Sequence, residues 1–119
     1  MIKKRLNSFK FALAGIKALF LTEANAKIHL FAAVLVVATG LLLSFSWIEW
    51  IAIIFAITFV FVTEAINTAL EATVDLVTAD IHPLAKKAKD IAAGAVLMAV
   101  VAAILIGFII IYPKIAMFF

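Results

Sequence analysis

From Ile91 to Pro113 the chain carries no charged residue, and from Ile28 to Ile48 its only titratable side chain is His29, at one edge. A helix needs roughly 20 apolar residues to cross about 30 Å of hydrocarbon. Both stretches are long enough to span a bilayer. Composition agrees, with 68% of the 119 residues apolar and 14% charged, against about 45–50% and about 25% in soluble domains. The absence of cysteine excludes a disulfide framework, a thiolate metal site and a cysteine nucleophile.

A third apolar stretch is interrupted. Between Glu49 and Glu64 lie only the uncharged residues Trp50 to Thr63, which cover about 21 Å as a helix. The helix must continue through Glu64 and Asn67 towards Glu71 before it leaves the hydrocarbon. A carboxylate is therefore carried into the inner third of the membrane, where an ionisable group is costly and by default functional.

Three spans put the termini on opposite sides. Nine of the ten basic residues fall on one side: Lys3, Lys4, Arg5, Lys10, Lys17 and Lys27 before the first span, and Lys86, Lys87 and Lys89 between the second and third. Lys114 stands alone at the far end. The positive-inside rule makes the basic side cytoplasmic, and Trp47 and Trp50 suit the opposite interface. Ile2, Leu6, Phe9, Leu13, Ile16 and Phe20 form one helical stripe flanked by basic residues, the pattern of a helix lying on the membrane surface. A cleaved signal peptide is the rival, with Ala24-Asn25-Ala26 as its site, but Lys10 and Lys17 interrupt the apolar centre it needs.

The expected architecture is an all-α integral membrane protein of one domain, with an N-terminal amphipathic surface helix and three transmembrane helices. The surface helix is placed at 1–27 and the spans at 28–48, 50–72 and 91–113. A cytoplasmic loop and helix start fill 73–90, with Pro83 in a first helical turn. The N-terminus is expected in the cytoplasm and the C-terminus outside.

Glu64, Asn67, Glu71 and Asp75 are three and four residues apart, so they share one face of the second span. A polar seam that fixes helix register would explain a single asparagine. Three carboxylates ask for more, since like charges at this spacing repel. They need protons, basic partners or a divalent cation, and oxygen donors without cysteine suit magnesium. Glu23 stands where the surface helix meets the first span, and Asp80, His82, Lys86, Lys87, Lys89 and Asp90 follow the second. His82 alone reads as a loop histidine; the co-location of acidic and basic groups on one side is the stronger signal. Acidic groups for magnesium, lysines for phosphate and a sunken carboxylate would bring a polyphosphate against a hydroxyl held at the lipid boundary. That is the arrangement phosphoryl transfer requires. The only glycines are Gly15, Gly40, Gly94 and Gly107, so no P-loop or protein-kinase glycine loop exists.

The stretch Glu64 to Leu97, EAINTALEATVDLVTADIHPLAKKAKDIAAGAVL, closely resembles the signature region of the prokaryotic diacylglycerol kinase family, small integral-membrane lipid kinases. The resemblance implies Glu64 as the catalytic base and Glu23 and Glu71 as carboxylates holding the divalent cation, Mg2+. It implies Asn67 as an amide in the same stripe, supported by Asp75, and Lys89 and Asp90 as the phosphate- and nucleotide-contacting pair. Asp80 and His82 match the loop that meets the nucleoside. Implied partners are ATP and a membrane lipid alcohol, with no nucleic acid, in a homotrimer of the bacterial cytoplasmic membrane. Ala92, Ala95, Ala99 and Ala102 offer a small-residue stripe for close packing. His82-Pro83-Leu84-Ala85-Lys86 is similar to the branch that phosphorylates undecaprenol. The diacylglycerol branch generally lacks that proline and carries a serine where this chain has Ala12. A small ion-coupled transporter cycling a glutamate proton is an alternative of another class, but it leaves the Ala-Lys-Asp helix start without a purpose.

Overall fold

A computed structural model describes residues 1–119 as four helices: α1 Ile2–Thr22, α2 Ala24–Leu42, α3 Trp47–Val77 and α4 Pro83–Ala116. The last three are each long and apolar enough to cross a membrane. The chain is thus an all-α, multi-pass protein. At 31 and 34 residues, α3 and α4 are about 46 and 51 Å long, so each outruns the hydrocarbon.

α1 carries the expected apolar stripe, and Ile2, Leu6, Phe9, Leu13 and Ile16 remain exposed along it. No other part of the chain covers them, which leaves that stripe free to lie on lipid. The helix is broken from α2 by one extended residue, Glu23, at φ −103° and ψ 115°. Phe20 holds the end of α1 against α3 through an edge contact with Phe61, ring centroids 5.4 Å apart.

α2 stops at Leu42, short of Ile48, where the uncharged stretch ends. Local chemistry explains the early stop. Ser44 adopts a left-handed backbone, φ 55°, and the Phe45 N–H donates to the Gly40 carbonyl at 3.0 Å. This is a Schellman closure with serine in the position that glycine usually takes. Ser46 then caps α3 in a reciprocal box: its N–H donates to Glu49 Oε2 at 2.8 Å, and its Oγ accepts from the Glu49 N–H at 3.3 Å. Gly40 is buried beneath the turn, and a Cβ there would stand 2.6 Å from the Trp50 ring and 2.8 Å from Phe45.

α4 packs along most of α3, while α2 leans on α3 more lightly. The α3–α4 pair is pinned at both ends. Glu49 Oε2 meets Lys114 Nζ at 3.1 Å, and at the other end Asp75 pairs with Lys89. Twenty-six residues separate the carboxylates on α3 and twenty-five separate the lysines on α4, each about 38 Å of helix. One antiparallel register satisfies both pairs.

The layer is thin, with Cα extents of 55 × 43 × 21 Å, and few residues are buried. The α3 seam is Ile53, Ala56, Val60, Glu64 and Asn67, stepping by three and four residues. On α4 the inward face is Ala92, Val96, Ala99 and Ala103, with Ala99 almost fully buried. Ala95 and Ala102 are exposed, so the expected alanine stripe divides between two faces. Ala95 and Ala102 each precede an inward residue, Val96 and Ala103, by one position, about 100° of rotation away from the line that α3 covers.

Candidate active site

Glu64 is the largest fully buried side chain in the molecule, 1% exposed, and it is polar. The helix carries it inward because Ile53, Ala56 and Val60 lie on the same seam and α4 covers that seam. Glu64 lies about 22 Å along α3 from Glu49. Its Oε2 has no hydrogen-bond partner, and neither do the buried Asn67 Oδ1 and Thr68 Oγ1. Buried polar atoms are rarely left unpaired, and an orphaned group at a site calls for an explanation by a ligand or a function. Asn67 Nδ2 donates to Glu71 Oε1 at 3.4 Å, which ties the two residues together along the helix.

Across from this seam, His29 of α2 places Nε2 3.7 Å from Glu64 Oε2. Glu23 and Glu71 are both half-buried and lie within electrostatic reach of Glu64. Three carboxylates, an amide and an imidazole therefore converge where α1, α2 and α3 meet. No three acidic or histidine side chains close into a self-contained metal cage. Magnesium is commonly held by one or two carboxylates together with substrate phosphates. Glu23 and Glu71 are carboxylates that could hold such a cation, and the Asn67 side chain is bonded to Glu71.

One turn beyond Glu71, Asp75 opens a second site. A cleft of about 320 Å³ between the end of α3 and the start of α4 is lined by Asp75, Asp80, His82, Lys86, Lys89 and Asp90 among others. Lys89 pairs with Asp75 and Lys86 with Asp90, all four at exposed or half-exposed positions. His82 caps α4, its Nδ1 accepting from the Leu84 N–H at 3.1 Å. The Asp80 N–H donates to Thr78 Oγ1 at 3.2 Å, which shapes the loop. A polar cleft with two ammonium groups is chemically suited to a phosphate chain.

The third feature is apolar. A groove of about 550 Å³ runs between α2, α3 and α4, with His29 the only polar side chain near one end and Tyr112 near the other. It ends beside Glu64, because His29 belongs to both. The prokaryotic diacylglycerol kinase family matches this chain over residues 10–111. The chain belongs to that family of membrane lipid kinases. The undecaprenol kinase of Bacillus subtilis (strain 168) is 44% identical over 113 residues, covering 95% of this chain and 92% of that one. A diacylglycerol kinase of Synechocystis sp. is 42% identical over 109 residues, 91% of this chain and 62% of its own length. The diacylglycerol kinase of Escherichia coli (strain K12) is 31% identical over 91 residues, 76% of this chain and 75% of that one.

In this lipid kinase the residues singled out in the sequence fall into two joined groups. Glu23, Glu64, Asn67 and Glu71 gather at the buried seam, and Asp75, Asp80, His82, Lys89 and Asp90 line the cleft. Asp75 joins them, about 16 Å along α3 from Glu64. Lys86, part of the charge cluster after the second span but given no role of its own in the sequence, lines the cleft as well. His29 read as the edge of a span, yet it is the basic group that Glu64 approaches. Its one signal was its isolation, as the sole titratable side chain of the first span.

Proposed function

We propose that this protein is an ATP- and magnesium-dependent undecaprenol kinase working at the cytoplasmic face of a bacterial membrane. The observation that carries the reading is the buried, unpartnered Glu64 carboxyl at the head of an apolar groove, on the same helix face as Asp75 of the lysine-bearing cleft about 16 Å further along α3. An apolar groove ending at a carboxylate suits a long lipid alcohol, and the cleft suits the phosphate donor. The basic end, with α1 and the α3–α4 loop, faces the cytoplasm by the positive-inside rule.

Glu64 accepts the hydroxyl proton as the lipid oxygen forms its bond to the γ-phosphorus. The bond from that phosphorus to the β-bridging oxygen breaks, leaving ADP and a phosphorylated lipid, and the proton passes to water. Lys89, with Lys86 beside it, exchanges its carboxylate partner for phosphate oxygens, while Asp90, Asp80 and His82 border the nucleoside. Asn67 orients Glu71, and Asp75 holds Lys89 between turnovers. Glu23 and Glu71 would hold magnesium, which neutralises phosphate charge when bound. Exposed apolar faces on α2 and α4, Ala95 and Ala102 included, suit burial in a homotrimer.

Undecaprenol is favoured by the 44% identity to an undecaprenol kinase of matching length and by the His82-Pro83 loop. Diacylglycerol is the second reading, since relatives at 42% and 31% identity bear that name. Purified protein given labelled ATP and magnesium with each lipid in parallel decides between them. Label is expected in undecaprenyl phosphate; label confined to phosphatidic acid would overturn the substrate assignment.

A further inference from the structure

Glu64 receives no hydrogen bond from its own helix, where even the Thr68 hydroxyl one turn on stands unpaired. Its Oε2 is buried and unpaired. No lysine or arginine forms an ion pair with it. The other ionisable groups acting on it are Glu23 and Glu71, and an ionised carboxylate has no proton to donate. His29 is the exception. It comes from a different helix, its Nε2 stands 3.7 Å from Oε2, and its side chain is 20% exposed where it borders the apolar groove.

A separation of 3.7 Å is longer than a hydrogen bond but within reach of one small rotation of the imidazole. Catalytic hydrogen bonds are often long in unliganded structures and tighten when substrate binds. An apolar chain entering the groove would exclude water from the imidazole and leave Glu64 as its available polar partner. A histidine Nε2–H on Oε2 would occupy one carboxylate oxygen and fix its plane. The other oxygen would then face the incoming hydroxyl.

We propose that His29 is a positioning residue for the kinase reaction, donating from Nε2 to Glu64 Oε2 and so aiming the opposite carboxylate oxygen at the lipid hydroxyl. The inference rests on the kinase reading above and adds a residue to it. His29 touches neither phosphate nor metal in this arrangement. It transmits the closure of lipid around the groove to the base, which couples substrate occupancy to the alignment of Glu64.

Two substitutions of matched length separate this role from mere packing. His29→Gln keeps an N–H donor near the Nε2 position, whereas His29→Met fills the same space without one and suits an apolar helix. His29→Met is expected to lower kcat by roughly 10–100-fold, the usual effect of removing a group that orients a functional ligand. KM for ATP should be unchanged in both variants. His29→Gln should retain kcat within about fivefold of the parent, on the strength of the preserved donor. Equal kcat in the two variants, whether high or low, overturns the proposal.

A double-mutant cycle supplies the second readout. In a Glu64→Gln background, His29→Met should cause no further loss, because the carboxylate it aims is gone. An additive loss overturns the proposal as well. Activity is read with whichever lipid alcohol the parent phosphorylates. A wrong substrate assignment therefore appears in the parent, and a wrong role for His29 appears only in the variants.

Discussion

Glu64→Gln separates a catalytic carboxylate from a buried polar strut. The two side chains have nearly equal volume, so the seam formed by Val60, Asn67 and Ala99 is not repacked. Turnover should fall by about 10²–10⁴, the usual contribution of a general base, equivalent to about 3–5 kcal/mol of transition-state stabilisation. Stability should move the other way. Glu64 is 1% exposed with Oε2 unpaired, and a buried polar atom without a partner costs roughly 1–3 kcal/mol, more when charged. A neutral amide relieves part of that cost, since its N–H can donate where the carboxylate cannot. The assay pairs initial rates with labelled ATP against unfolding in mixed micelles of rising SDS content. A kcat near zero in a variant at least as stable as the parent, with ATP binding intact, is the expected pattern. An active variant, or one that loses stability along with activity, would refute the reasoning and return Glu64 to a register-fixing role.

Other perturbations address the remaining parts. Glu71→Gln should raise the magnesium concentration for half-maximal rate by roughly tenfold, about 1.4 kcal/mol of binding, while kcat at saturating metal is largely kept; an unchanged magnesium titration counts against its role. Lys89→Met should weaken ATP by about 10–100-fold, the worth of a charge-assisted hydrogen bond, and leave KM for the lipid alone. Loss of lipid affinity instead would place Lys89 outside the phosphate site. At the α2–α3 hairpin two changes should have opposite signs. Gly40→Val drives a side chain into Trp50 and Phe45 and should destabilise by about 1–3 kcal/mol. Ser44→Gly relieves a left-handed serine and should stabilise by about 1 kcal/mol. Neither should alter kcat, and SDS unfolding curves that fail to part in opposite directions would contradict the turn geometry.

Much of the molecule was legible in the chain, and the reason is the solvent. Hydrocarbon admits neither charge nor unpaired backbone, so helix number and the rough extent of each span follow from where charge is missing. The stripe of Glu64, Asn67, Glu71 and Asp75 was legible too, because side chains on one helix keep a fixed phase of 100° per residue. The hairpin was less so. Its early stop after Leu42 depends on a left-handed serine and on two aromatic rings folding over Gly40, and neither follows from hydropathy.

The sequence by itself therefore determined that this is a three-span helical protein with one polar face on its second span and its charge gathered at one end. Those properties are local, set by hydropathy and by the geometry within a single helix. Only the tertiary structure decided which groups from different helices meet. It set the α3–α4 register that pairs Glu49 with Lys114 and Asp75 with Lys89. It gathered Asp80, His82, Lys86 and Asp90 around one cleft and turned His29 towards Glu64. The sliding and rotation of one helix against another are fixed by many weak contacts summed along its length. No single residue carries that sum, so no pattern in the chain announces it.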